Sequence, residues 1–298
     1  FFFFHKSSPN NSNSFFWLSK ETSIIINNWF MMYFLSVVLI GTIYPIFLEV
    51  LSSQKISVGP PFYHKLIIPF LIPFLMAMAI GPKLKWIKSN IVDKFYLVLF
   101  FAISIVLSFL IVKKFSTNLL INTILVSSAL YLFFITLRDF FIRKYSNISQ
   151  NIAHFGFSLL ILSILLNNLF SSEIITNLKV GETFTSSKTK IVFKSINQKQ
   201  EKNYKSIIAN FSIENINETI EDLSPELRIY NQPNIVTSEA DIKTTLLSDK
   251  FIVINIVQNQ DYFNVRYQVK PFMLWIWISV ILISFGGLLS FFKREHEK

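Results

Sequence analysis

Ile152–Phe170 reads IAHFGFSLLILSILLNNLF, and directly after it the continuous apolar run gives way to short alternating segments. Crossing hydrocarbon takes about 20 mostly apolar residues in a helix. Half-buried strands instead alternate with a period of two. The switch at Phe170 therefore separates a membrane helix from a β-domain. Inside the helix stands one imidazole, His154. Even neutral, it brings a donor and an acceptor into hydrocarbon, where unsatisfied polar groups are costly.

With the four upstream of it, five spans can be marked: Ser23–Phe47, Leu66–Ile80, Phe95–Val112, Asn118–Thr136 and Ile152–Phe170. A sixth, Phe272–Phe292, follows about a hundred polar residues. The composition agrees, since 52% of the 298 residues are hydrophobic and 15% are charged. Soluble domains average about 25% charged residues. Mean hydropathy is +0.47. Leu66–Ile80 carries Pro69 and Pro73 and is expected to be kinked, which a bundle tolerates. The expected fold class is thus a six-span α-helical membrane protein with an inserted extracytoplasmic antiparallel β-domain. By number, 1–22 form an inner flank, 23–170 five spans, 171–270 the β-domain, and 271–298 the last span and inner tail.

Lys and Arg in short loops set orientation. With the N-terminus inside, the inner segments hold 12 basic residues and the short outer loops only Lys55, Lys65, Lys113 and Lys114. This predicts N-in, C-in, with the β-domain outside. That domain carries 12 basic and 12 acidic residues, so the whole +10 lies in the membrane half. The basic residues are scattered flanks with no basic face, and no nucleic-acid partner is expected.

In the outer segment, Thr189–Ile196, Lys205–Ile213, Phe251–Val257 and Asn264–Val269 read as strands and Gly181 as a turn. A barrel or a sandwich fits, serving as a scaffold or docking surface. The chain has no cysteine, which excludes disulfides, thiolate metal sites and cysteine nucleophiles. There is no nucleotide-binding glycine motif. His5 and His296 read as solvated flank residues and His64 as an interfacial one. Asp139 beside Arg138, and Asp93 beside Lys94, read as surface pairs in inner loops. For His154, roughly 6–12 Å along its span, two readings stay open. One is axial ligation of haem iron; the other is a hydrogen bond across a helix interface. Gly156, two residues on, would admit a planar group or a neighbouring helix.

The order of short motifs then resembles the C-terminal part of the CcmF/NrfE family of cytochrome c maturation proteins. Leu18–Asn28 is similar to the family's SRE…LLLNN stretch, and Gly41-Thr-Ile-Tyr-Pro45 and Ile56–Phe62 follow in order. Gly81-Pro-Lys-Leu-Lys-Trp86, Ile152-Ala-His-Phe-Gly156, Glu226–Tyr230, Thr237–Ile242 and Lys270–Trp277 with Gly286-Gly287 complete the series. The resemblance implies a haem lyase subunit in the bacterial or mitochondrial inner membrane. It implies an intramembrane haem b ligated by two histidines, one of them His154 as the motif's ligand. The implied partners are the N-terminal half of the same protein, a CcmE-like haem chaperone, CcmH/CcmI-like subunits and the CXXCH segment of apocytochrome c.

The departures from the family pattern are specific. Its tryptophan-rich WWD segment, two outer histidines and second membrane histidine are absent from this chain. The expectation is therefore one piece of a split protein, or a fragment, with no catalytic residue of its own and with the second axial ligand supplied by the missing half. Lys20 replaces the usual arginine, and His64 stands where asparagine is usual, so no role passes to it. Attachment occurs outside whereas His154 is read in the inner half, so electrons must cross much of the bilayer. Two rival classes remain: a haem-free membrane scaffold with a docking β-domain, and a transporter.

Overall fold

The computed structural model describes residues 19–52, 55–86, 94–115, 118–142, 148–186, 189–215, 220–257 and 261–296. Six helices, α1 Lys20–Ser52, α2 Pro60–Ile80, α3 Lys94–Phe115, α4 Leu119–Ile142, α5 Ile148–Phe170 and α6 Met273–His296, are each long and apolar enough to span a bilayer. Between α5 and α6 in sequence run ten strands, β1 to β10. The chain is a multi-pass membrane protein with an antiparallel β-sandwich. It divides into two compact units, with boundaries inside α5 and α6, at 158/159 and 282/283.

In the first unit α1 packs on α2, and both α2 and α3 pack on α4. α4 is the most enclosed, with Leu125–Leu132, Ile135 and Thr136 buried. Two of its buried hydroxyls bond back to their own helix: Ser128 donates to the Leu125 carbonyl at 2.7 Å and Thr136 to that of Leu132 at 2.9 Å. α2 starts six residues before the run picked out by hydropathy. Pro60 and Pro61 look like loop residues in a string, but the first helical turn has no use for their missing N–H groups. The helix continues through Pro69 and Pro73. In the turn they disturb, the Tyr33 hydroxyl of α1 donates to the Leu66 carbonyl at 2.9 Å. α1 runs for 33 residues, about 50 Å against about 30 Å of hydrocarbon.

The second unit holds the sandwich. One sheet has the order β1 (Ser172–Leu178), β10 (Phe263–Pro271), β9 (Ser248–Ile256), β8 (Asp241–Thr244). The other has β2 (Thr183–Thr185), β3 (Thr189–Gln200), β4 (Tyr204–Asn215), β6 (Glu226–Tyr230), β7 (Ile235–Glu239), with β5 (Glu221–Leu223) also on β4. Alternate residues of both sheets point inward: Ile191, Phe193, Phe211, Ile213, Ile252, Ile254, Val265 and Tyr267 are buried together. Phe193 and Phe211, register partners on β3 and β4, stack at 4.4 Å. Gly181, with φ +88°, makes the turn read from sequence. Glu221, 7% exposed, joins the sheets through ion pairs with Lys243 at 3.1 Å and Lys250 at 3.3 Å. Those two lysines face each other across β8 and β9.

Both tethers of the sandwich leave from neighbouring strands, since β1 pairs antiparallel with β10. The Asn167 side chain near the end of α5 donates to the Pro271 carbonyl. Phe272, between β10 and α6, has φ 61°. A side-chain-bearing residue adopts that backbone at a cost and keeps it only where its surroundings hold it. Its N–H donates to the Leu247 carbonyl at 2.8 Å, and its ring lies 6.3 Å from that of Phe170.

Candidate functional site

The motifs scattered along the sequence meet in space. Ser19 caps α1, its hydroxyl accepting the Thr22 N–H at 3.2 Å. Next to it the Lys20 N–H donates to the Lys85 carbonyl at 3.0 Å, and the Lys20 ammonium lies 5.2 Å above the Trp86 ring. The stretches around 20 and 81–86 therefore form one joint. At Gly41 a Cβ would lie 2.6 Å from the Tyr63 hydroxyl, so the 41–45 stretch meets the residue that directly follows the 56–62 stretch. At Gly286 of α6 a Cβ would lie 2.7 Å from the Ala153 backbone nitrogen and 2.9 Å from the Ser149 carbonyl. That glycine is what lets α6 lie against α5 beside the histidine motif.

His154 sits six residues, about 9 Å, into α5. Its side chain faces a groove of about 260 Å³. One stripe from each of three helices lines it: Lys20, Ser23, Ile24 and Asn27 from α1, Phe74, Ala77 and Met78 from α2, Gln150 and His154 from α5. These spacings of three and four residues are those of a single helix face. Behind His154 lies a second space of about 10 Å³, shared with Thr136, Asp139 and Asn151. The imidazole is half-buried and makes no hydrogen bond among the described residues. Its donor and acceptor are thus left facing the grooves.

Asp139 is not the surface group that its neighbour Arg138 suggested. It lies on α4 with its side chain 12% exposed, and it pairs with Lys83, 2% exposed, at the end of α2. Arg138 is the more distant partner at 3.8 Å, its own guanidinium 3.6 Å above the Tyr96 ring. The Asn151 amide on α5 donates to the Asp139 backbone carbonyl at 3.1 Å, and Thr136 and Ser158 share a hydrogen bond of 2.7 Å. Lys83, Asp139 and Asn151 therefore fix α2, α4 and α5 around the histidine. Sequence reading missed this set because the partners are 56 residues apart. A charge next to a hydrophobic span end looks like a solvated flank. Gly156 is buried and lies on the helix stripe of Ser149 and Ala153 that meets Gly286.

Among the other candidates, His64 is exposed in the first turn of α2. His5, Asp93, Arg143 and Lys144 lie outside the described residues, as does the His296 side chain. On the sandwich, Glu226 and Glu239, far apart in sequence, are register partners. Arg228 binds both, at 3.1 and 3.8 Å. The Arg228 guanidinium holds the Glu226 carboxyl below the usual range. No group of three or more His, Cys, Asp or Glu among the described residues could hold a metal ion. One imidazole without a hydrogen bond among the described residues, facing a groove of mixed apolar and polar side chains, fits one ligand position of a planar metal macrocycle.

A family model described as the CcmF C-terminal beta-sandwich matches residues 169–271. The cytochrome c-type biogenesis protein CcmF of Pseudomonas fluorescens is 27% identical over 276 residues, covering 88% of this chain and 42% of that protein. CcmF of Escherichia coli K12 is 24% identical over 271 residues, and NrfE of Haemophilus influenzae 24% over 271. A solved structure of the cytochrome c haem lyase CcmF superposes with a TM-score of 0.70 at 19% identity, covering 92% of this chain and 46% of that one. The chain spans about two fifths of the length of the curated relatives it matches.

Proposed function

Because the chain aligns with the C-terminal part of the CcmF/NrfE family of cytochrome c biogenesis proteins, we propose that it is the C-terminal part of a cytochrome c haem lyase membrane subunit. In this reading His154 is an axial ligand of an intramembrane haem b. The observation that carries it is an imidazole without a hydrogen bond among the described residues, on the wall of a groove between apolar helices long enough to span a bilayer. A histidine kept for helix packing would be expected to bond across the interface. Bound there, the haem would supply a one-electron couple whose potential follows its ligands and burial. Ile24, Phe74, Ala77 and Met78 would contact its apolar face, with Lys20 and Gln150 in the first turns of α1 and α5 as donors for its carboxylates.

The chain's own contribution is orientation. The Lys83–Asp139 pair and the Asn151 amide hold α5 to α2 and α4, so the imidazole keeps its aim when the groove is filled. A space of about 260 Å³ is below the usual 300–1,000 Å³ of a whole ligand pocket and is open on one side. The remaining wall and the second axial ligand are assigned to the N-terminal half of the same protein. CcmE-like chaperone, CcmH/CcmI-like subunits and apocytochrome c belong to the same proposal. So do the inner-membrane location, the N-in and C-in orientation, the outer placement of the sandwich and the division at 22, 170 and 270.

The test is covalent haem attachment to a CXXCH apocytochrome in cells that supply the N-terminal half. Replacing His154 with alanine should lower attachment at unchanged protein level. Wild-type attachment by that variant would favour the haem-free scaffold.

A further inference from the structure

The hairpin joining β8 to β9 has an unusual tip. Thr245 and Ser248 close it, the Thr245 N–H donating to the Ser248 carbonyl at 3.0 Å and the Ser248 N–H to the Thr245 hydroxyl at 3.1 Å. The two residues between them are Leu246 and Leu247, 71% and 67% exposed. Tips of two residues ordinarily use Gly, Asn, Asp or Ser, whose backbone or side chains suit the turn. Two leucines gain nothing from the turn and, in water, lose by exposure.

The position of the tip supplies the reason. Its two carbonyls are tied to the start of α6: the Trp275 indole N–H donates to that of Leu246 at 2.9 Å, and the Phe272 N–H to that of Leu247 at 2.8 Å. The apolar span of α6, Met273–Phe292, has 20 residues. At 1.5 Å per residue that is about 30 Å, the thickness of the hydrocarbon core with nothing to spare. Met273 therefore stands at the edge of the hydrocarbon, and Trp275, one half-turn in, marks the interfacial belt that tryptophan favours. A carbonyl bonded to that indole lies at the same depth, and side chains leaving it meet acyl chains.

We propose that Leu246 and Leu247 insert into the lipid interface and form a third anchor of the β-sandwich beside its two covalent tethers. The occupant of this surface is the bilayer, and the proposal needs only that α6 spans it. The hairpin holds the sandwich down, and the positive-φ Phe272 locks hairpin, strand and helix into one joint.

The natural absence of cysteine makes the test direct. Leu246→Cys, Leu247→Cys and, as a control on the exposed edge strand β7 of the other sheet, Val236→Cys (Val236 is 52% exposed) would carry a nitroxide label. The full chain would be reconstituted with its N-terminal half in phosphatidylcholine–phosphatidylglycerol vesicles. Labels at 246 and 247 should be relaxed by oxygen and protected from a water-soluble nickel chelate, while the label at 236 shows the reverse. Nickel accessibility at 246 and 247 equal to that at 236 would overturn the proposal by placing the tip in water. Protection from both reagents would overturn it by placing the tip under protein.

Discussion

Replacing Asp139 with leucine should be the most damaging single change in the helical unit. The Lys83 side chain is 2% exposed and Asp139 12%. Losing the carboxylate leaves a buried ammonium without its counter-ion and, nearby, the Arg138 guanidinium. Breaking a buried pair from one side costs about 3–5 kcal/mol. Lys83→Met should cost less, because Arg138 at 3.8 Å still faces Asp139. The double variant Lys83→Met with Asp139→Leu should recover most of the loss, since a well-packed apolar pair commonly matches or exceeds a buried ion pair. Equilibrium unfolding of the purified chain in mixed detergent micelles would give the four free energies of a double-mutant cycle. The expected coupling is about 3–5 kcal/mol, at or above the upper end for groups in direct contact. Additive losses, or an Asp139→Leu variant as stable as the native chain, would refute the claim that this pair fastens α2 to α4.

Three further outcomes follow from other contacts. Glu221→Gln should destabilise the sandwich by about 3 kcal/mol, because Lys250, 8% exposed, loses the carboxylate it shares with Lys243; Asp222→Asn, which removes an exposed pair with Lys194, should leave the same thermal unfolding curve unmoved. Gly286→Ala should lower stability by about 1–3 kcal/mol through overpacking on α5, in spite of alanine's better helix propensity, and a gain of about 1 kcal/mol instead would show that the helices are not in close contact there. Finally, Glu173 (through Arg266 and Gln268) and Glu226 (through Arg228) titrate below the usual carboxylate range. Their contribution is complete above that range and is lost as pH falls through the lowered values. The melting point of the β signal in circular dichroism should therefore be flat from neutrality to about pH 5 and fall below about pH 4, and a rise on acidification would contradict the assignment.

The spans were legible because a helix in hydrocarbon announces itself by length and apolarity alone. Where the helices begin was not, since Pro60 and Pro61 have opposite meanings in a loop and in a first helical turn. The strands β3, β4, β9 and β10 are long and alternate with a period of two. β2, β5 and β8 have three or four residues, too few for a period to register, and β7 is bounded by nothing hydrophobic. Glu226 and Glu239 were visible as acids but not as partners, because strand register joins residues that sequence separates. His154 stood out through its rarity in a span. What surrounds it, Lys83 and Asp139 above all, depends on which helix faces pack, and hydrophobicity on every side of a helix hides that information.

The central claim is that His154 ligates haem iron, and the dithionite-reduced absorption spectrum tests it most directly. The chain would be purified with its N-terminal half in native form, as His154→Ala, and as His154→Gly with imidazole added. The account predicts a low-spin b-type spectrum in the native protein, its loss in both variants, and its return when imidazole fills the cavity left by glycine. An intact His154→Ala protein carrying the same haem spectrum as the native one would contradict it.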